Sequence, residues 1–344
     1  MTRIVNYLAV LAFGLLLPCA LLAQQAAPAA EKSAAPKAAG ASIAAPGWNN
    51  PPAWSAVESS PQYASLPGHE TNVLVQDSGR RWRELRNGPV TFYMGWLLVI
   101  APALLILFYF VKGPFKLHEK PGGHLIERFN SAERVAHWTL AVSFVVLALS
   151  GLMLLFGKFI LLPLMGGSAY SWIGALSKNL HNFIGPLFIF STVVVFVIYA
   201  KDNFLDAIDF TWLSKFGGLL SGKEVPSGRF NGGEKMWFWL GVALLGIVMS
   251  ITGLIMLFPN FDTTRELMTT TNLVHAIAAC LFIAMSLGHI YMSYATEGAM
   301  QGMREGTVDE VWARQHHPLW YNEVKAGRHG GKTAGATPLP AGND

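Results

Sequence analysis

Four histidines stand inside stretches apolar enough to cross a membrane: His137 in VAHWTLAVSFVVLALSG, His181 in LHNFIGPLFIFSTVVVFVIY, and His275 with His289 in LVHAIAACLFIAMSLGHIYMSY. Imidazole in hydrocarbon is costly, so such residues face a bundle interior and bind something. His275 and His289 are 14 positions apart. At about 100° per residue they return to within about 40° of one helix face, about 21 Å apart along the axis. One helix thus offers a ligand near each side of a membrane. With His137 and His181 at opposite depths on neighbouring helices, the four make two bis-histidine sites, the ligation that a low-spin electron-transfer haem needs.

Composition agrees with a membrane solvent. The 344 residues are 52% hydrophobic and 13% charged, with a mean hydropathy of +0.37, too apolar for an ordinary soluble protein. The net charge of +4 is small, and the basic residues flank apolar segments rather than forming a stripe among exposed aromatics, so nucleic-acid binding is unsupported. Cys19 and Cys280 are the only cysteines. This excludes a disulfide framework, a cysteine zinc site and a protein-bound iron–sulfur cluster.

Arg3 followed by the apolar run from Leu8 to Leu22 and small residues has the form of a signal peptide, 1–23. Residues 24–53 are Ala- and Pro-rich and read as a disordered linker. Residues 54–90 regain aromatics and charge, enough for a periplasmic docking segment. Five transmembrane helices are predicted at 91–111, 132–156, 179–200, 235–258 and 272–294, each close to the roughly 20 residues that span hydrocarbon. Asn130 with Glu133 forms a capping-box-like start to the second. The expected fold is an all-α integral membrane protein. It comprises a four-helix dihaem cytochrome b bundle over 132–294 plus one extra N-terminal transmembrane helix, joined by a cytoplasmic connector at 112–131 and followed by a cytoplasmic tail at 295–344.

Lys and Arg number five in 112–134, five in 201–235 and five after Ala295, against two in 157–178 and one in 259–271. The positive-inside rule makes the basic segments cytoplasmic. Arg80, Arg81, Arg83 and Arg86 break that rule locally, and are expected to meet a partner's acidic surface. Depth then pairs His137 with His289 near the cytoplasm, and His181 with His275 near the periplasm.

One buried histidine by itself reads equally well as a hydrogen-bonding group or a proton relay, but four at matched depths favour haem. Zinc lacks an intramembrane Cys, Asp or Glu to complete a tetrahedral site. Gly151, Gly185 and Gly253 suit either a porphyrin plane or close helix packing. Arg134 and Lys178, each three residues before a histidine, suit either haem propionates or snorkelling to headgroups. His69, His118, His124 and His329 read as solvated, His316-His317-Pro318 as a turn, and the Trp and Met residues as belts and packing. The run RFNGGEKMWFW places Asn231, Gly233 and Glu234 at the depth of His137 and His289. Such groups suit a quinone head group, or simply a loop-to-helix junction capped by Asn231.

These motifs together resemble the cytochrome b gamma subunit of membrane-bound, quinone-linked formate dehydrogenase, in its long form with an N-terminal extension. The residues that carry the resemblance are ERVAHWT, LSG at Gly151, LHNFIGPLF, RFNGGEKMWFW, ITGLIM, LVHAIAA, GHIYMSY and the tail EGAMQGMREGTVDEVWARQHHPLWYNEV, in order over about 128–325. The resemblance implies two haem b groups, on His137 with His289 and on His181 with His275. Electrons would come from an iron–sulfur beta subunit, fed by a molybdenum- or tungsten-pterin alpha subunit that oxidises formate. A menaquinone or ubiquinone would be reduced beside Asn231, Gly233 and Glu234, Glu234 standing where the family has Gln. It implies an inner-membrane location, surrounding lipid and a higher-order oligomer. The cytochrome b subunit of a nickel–iron hydrogenase or another quinone-linked oxidoreductase is the near alternative, and a proton-relay transporter is the alternative of a different class.

Overall fold

The computed structural model describes residues 77–219, 224–261 and 263–327. The expected signal peptide, the linker and residues 54–76 of the docking segment lie outside the described residues.

The first element, α1 (Asp77–Leu85), runs through a π turn (Arg86–Val90) into α2 (Thr91–Lys112). Then come β1 (Leu125–Glu127) and the 69-residue α3 (Ser131–Tyr199). Asn130 and Glu133 start α3 with a full capping box: each side chain accepts the other residue's backbone N–H, at 3.0 and 2.8 Å, satisfying two of the N–H groups that a helix start leaves open. Short α4 (Ala207–Ser214) leads to α5 (Gly232–Trp237), which continues through a π segment (Phe238–Leu245) into α6 (Gly246–Leu257). Next is α7 (Arg265–Ala295). A cap of α8 (Ala299–Glu305), β2 (Thr307–Asp309), α9 (Glu310–His316) and α10 (Pro318–Lys325) completes the described chain.

Four helices among the described residues are long and apolar enough to cross a membrane. One of them crosses twice. At Gly166, φ 77° and ψ 172° break α3, a backbone state open to glycine because it has no Cβ. The arms 131–165 and 167–199 then lie antiparallel. Tyr199 donates to the Glu133 carbonyl at 3.2 Å, the Phe144 and Phe188 rings are 6.4 Å apart, and Ser150 meets His181 at 2.9 Å. Residues 157–178, expected as a connecting segment, are therefore helical on both sides of one glycine. That stretch carries Pro163 and four glycines, yet Gly166 alone takes a non-helical backbone, and elsewhere each helix continues past the apolar core. In the same way α7 starts at Arg265, seven residues before the expected span, because Thr264 caps it by accepting from Leu267 N at 3.1 Å.

The two arms, the α5–α6 rod and α7 form the up-and-down bundle, and α2 runs parallel to α7 on its outside. Phe108 meets Tyr291 at 6.2 Å, and Phe115 bridges Thr296 in parallel. Near the Gly166 end, Met94, Leu98 and Val99 of α2 pack on a buried cluster of Leu155, Phe156, Phe159, Ile160 and Cys280. Trp82 donates to Asn272 Oδ1 at 2.9 Å, and Arg86 to the Leu154 carbonyl at 3.1 Å. Arg86, expected to face a partner, thus serves the bundle itself: its guanidinium satisfies a helix carbonyl. At the opposite end β1 pairs antiparallel with β2, Ile126 opposite Val308, and fastens the tail under the bundle. The core of that cap includes Val308, Trp312, Ala313 and Trp320.

Candidate functional site

The four histidines meet in two pairs at two levels. At the Gly166 end, the ring centroids of His181 and His275 are 6.1 Å apart with planes at 69°. At the tail end, those of His137 and His289 are 6.3 Å apart at 57°. Two metal–imidazole bonds of about 2 Å, plus about 1 Å from each ligating nitrogen to its ring centre, give about 6 Å, so both pairs are set at the span of one metal ion. Midway between the levels lies an aromatic layer. Phe282, seven residues from both His275 and His289, stands 4.7 Å from Phe144 and 6.3 Å from Phe188.

Surroundings fit a planar macrocycle at the Gly166-end pair. A Cβ on Gly151 would stand 3.3 Å from His181 Cε1, and one on Gly253 3.7 Å from His275 Cε1. Gly185 has open space where a side chain would be. Hydrogen bonding also determines which ring nitrogen is available. Ser150 Oγ donates to the Val146 carbonyl at 2.8 Å, and Thr252 Oγ1 to that of Val248 at 2.6 Å. A hydroxyl has one hydrogen and a carbonyl has none, so each oxygen can only accept from the imidazole. His181 Nδ1–H therefore donates to Ser150 at 2.9 Å and His275 Nδ1–H to Thr252 at 2.8 Å. Nε2 of each ring keeps its lone pair for a metal.

The tail-end pair is held differently. Trp237 stacks on His289 at 5.0 Å and 10°, while His137 Nδ1 is buried with no partner among the described residues. Beside the pair opens a cavity of about 1020 Å³ lined by, among others, His137, His289, Asn231, Gly233, Glu234 and Trp237. It lies at the upper end of the range for small-molecule sites. Asn231 and Glu234 form a second capping box, at 3.0 and 2.8 Å, so the expected cap role does not keep this segment from the cavity. It caps α5 and it lines the cavity. A Cβ on Gly233 would meet the Trp212 ring at 2.7 Å, so this glycine lets α4 close against the site.

A charged lattice fixes the cavity mouth. Arg229 binds Glu133 at 2.8 Å and also Asp202. Arg128 binds Glu234 at 3.3 Å, and each of the two arginines donates to the other's backbone carbonyl, at 3.1 and 2.8 Å. Burial lowers Arg128 to about 10 against the pull of Glu234, leaving it charged at neutral pH. Burial also acts to lower Arg229, but its bonds to Glu133 and Asp202 outweigh that and hold it above its usual range. Lys235 is buried against Asp209 at 2.7 Å and Asp206 at 3.1 Å.

Arg134, expected near a propionate, donates to the Arg304 carbonyl at 2.8 Å. It lines a shallow outer groove with Trp138 and Val142 and is not among the residues around the large cavity. Lys178 is exposed one turn before His181. His317, expected in a plain turn, is 2% exposed and donates through Nδ1 to the Gly228 carbonyl at 2.7 Å. Sequence reasoning missed Arg128, Trp237, Ser150 and Thr252. Only Trp237 carried a signal, as part of the aromatic run beside Asn231.

A family model described as prokaryotic cytochrome b561 matches residues 128–303, half of the chain. The chain belongs to that family. The cytochrome b556(Fdn) subunit of the nitrate-inducible formate dehydrogenase of Escherichia coli K12 is 31% identical over 206 residues, 58% of this chain and 92% of the relative. The cytochrome b556(fdo) subunit of formate dehydrogenase from the same organism is 31% identical over 203 residues, covering 58% and 93%. The cytochrome b556 subunit of formate dehydrogenase of Haemophilus influenzae is 29% identical over 204 residues, covering 58% and 83%. The resemblance read from the motifs is borne out: this cytochrome b561 family member is similar to formate dehydrogenase cytochrome b subunits. Its matched part contains all four histidines and the charged lattice. As a b-type cytochrome it has haem b as its prosthetic group, and the two imidazole pairs fit such a group.

Proposed function

We propose that this chain is the membrane-anchoring dihaem cytochrome b subunit of a formate dehydrogenase, carrying electrons inward from a periplasmic iron–sulfur subunit and reducing quinone near the cytoplasmic side. The observation that carries the reading is the pair of imidazole couples at 6.1 and 6.3 Å, one at each level of a single bundle. His181 with His275 would hold the periplasmic haem and His137 with His289 the cytoplasmic one. When bound, the two groups supply one-electron couples at two depths.

The chain's own residues set the rest. Phe144, Phe188 and Phe282 fill the interval between the levels and exclude water from it. Trp237 holds the plane of His289. Asn231 and Glu234 present amide and carboxylate groups to the cavity, where a quinone head group would be hydrogen-bonded and receive protons from the cytoplasm. Glu234 brings a titratable group to that edge, and Arg128 pairs with it. Basic residues concentrated in 112–134, 201–235 and the tail support a cytoplasmic tail end. Moving an electron inward against the membrane potential would conserve about 2.3 kcal/mol per 100 mV. The relatives' names support formate as the donor of the complex and further subunits of a formate dehydrogenase as partners.

Two measurements test this reading. The purified complex should bind two haem b per copy of this chain; one or none defeats the dihaem assignment. A cysteine placed at exposed Ser168, beside the Gly166 turn, in a background without native cysteines should react with an impermeant reagent from the periplasm. Reaction only after the inner membrane is opened would reverse the proposed topology.

A further inference from the structure

The two histidine pairs differ in what stands behind the ligating face, and on the dihaem reading this difference has a redox consequence. Behind His181 and His275 stand two hydroxyl oxygens, each with its hydrogen committed to its own helix, Ser150 to Val146 and Thr252 to Val248. Each can only accept from Nδ1–H, at 2.9 and 2.8 Å. The partners come from other segments than the histidines they serve. Ser150 lies on the first arm and His181 on the second; Thr252 lies on α6 and His275 on α7. At the other pair, His137 Nδ1 is buried without a partner among the described residues, and His289 is met by the face of Trp237, which offers no acceptor in the plane of the ring.

We propose that Ser150 and Thr252 are positioning residues that set the direction of electron flow. By accepting from Nδ1–H they fix ring orientation and make Nε2 of His181 and His275 a stronger donor, which favours the ferric over the ferrous state of the haem they hold. A second hydrogen bond on a ligating imidazole raises its basicity, and such bonds are a recognised lever on haem potential. The haem on His181 and His275 is accordingly the lower-potential one. Electrons entering at the Gly166 end then run downhill to the haem beside the large cavity. The two hydroxyls act through the imidazoles and touch no reacting atom.

The test is a spectroelectrochemical redox titration of the intact complex, comparing wild type with Ser150→Ala, Thr252→Val and Thr252→Ser. In wild type, the haem signal removed by His275→Leu should be the lower-potential of the two; the reverse order overturns the proposal without any hydroxyl variant. Ser150→Ala and Thr252→Val should each raise that potential, shifting its oxidised-to-reduced ratio by up to about tenfold, about 59 mV for a one-electron couple. The other haem should stay in place. Thr252→Ser, which keeps an acceptor oxygen, should stay close to wild type. Thr192→Val serves as control, because that buried hydroxyl bonds to the Phe188 carbonyl of its own helix at 2.8 Å and to no histidine among the described residues. Both potentials unchanged with two haems retained, or movement of the cavity-side haem alone, would overturn the proposal. A wild-type complex with fewer than two haems would instead remove the dihaem reading on which it rests.

Discussion

The two ends of the bundle hold the same ligand pair by different means. At the Gly166 end, two helix hydroxyls hold the imidazoles, Gly151 and Gly253 let the rings lie close against their helices, and among the described residues no ion pair touches either ring. At the tail end, a lattice of arginines and carboxylates, a two-stranded ribbon and a stacked indole surround the pair. The difference follows from what each end adjoins. The Gly166-end site sits among continuous helices whose carbonyls are already satisfied, so single hydroxyls suffice to orient a ring. The tail-end site opens into a cavity, and its walls are loops and short helices that need charge-assisted bonds to stay in register. On the proposed reading, one end holds a group, and the other holds a group and admits a second molecule.

The largest effect should come from breaking one pair while sparing the other. His275→Leu should remove the haem signal at the Gly166 end, and His181→Leu should remove the same signal. His137→Leu and His289→Leu should remove the second. If His275→Leu and His181→Leu abolish different signals, the pairing read from ring separations is wrong.

Next in size, Arg229→Ala should loosen the tail end alone. It leaves Glu133, with 9% side-chain exposure, without its cation, and breaking a buried pair in this way costs about 3–5 kcal/mol. Thermal unfolding of the detergent-solubilised complex should show early loss of the cavity-side haem while the other persists. Simultaneous loss of both would mean that the two ends are one cooperative unit.

A smaller and more specific effect is expected of Asn231. Asn231→Leu should cost quinone reduction about 1–3 kcal/mol in transition-state stabilisation if it leaves a buried partner unsatisfied, and about 1 kcal/mol of helix stability through the lost cap. Asn231→Asp keeps the cap acceptor and removes the amide donor, so it separates the two. Quinone-linked reoxidation should fall in both variants with haem content near normal. Unchanged rates would leave this segment as a helix cap only.

The smallest effect concerns acid. Burial lowers His316 to about 4 and holds His317 well below its ordinary value, whereas both titrate near 6.5 in an unfolded chain. The unfolded state therefore binds more protons in this window, so the cap is fully stable above about pH 6.5 and weakens as pH falls. Amide exchange over 307–325 should be faster relative to its intrinsic rate at about pH 5.5 than at about 7.5, with the helices around Ser150 and Thr252 unchanged. Equal protection at both values would show that the cap does not depend on neutral imidazoles.

Much of this molecule is legible in one dimension. Apolar runs of membrane length fix the helices, the 14-residue interval fixes two levels on α7, and the depth of His137 and His181 fixes their partners, because a bilayer turns sequence position into height. The Asn130–Glu133 box is readable for the same reason: its bonds close within one helical turn. What the sequence does not determine lies across helices. Whether 157–178 loops or stays helical turns on one glycine's backbone angle, which composition leaves open. Arg128 rather than Arg134 reaches the cavity because the β1–β2 ribbon and α8 set where each side chain points. Ser150 and Thr252 look like any hydroxyl on a membrane helix until packing brings them to rings 31 and 23 residues away. Hydrophobic periodicity is a local property of the chain, but the partner of a buried polar atom is chosen by tertiary contact, and only the folded bundle decides it.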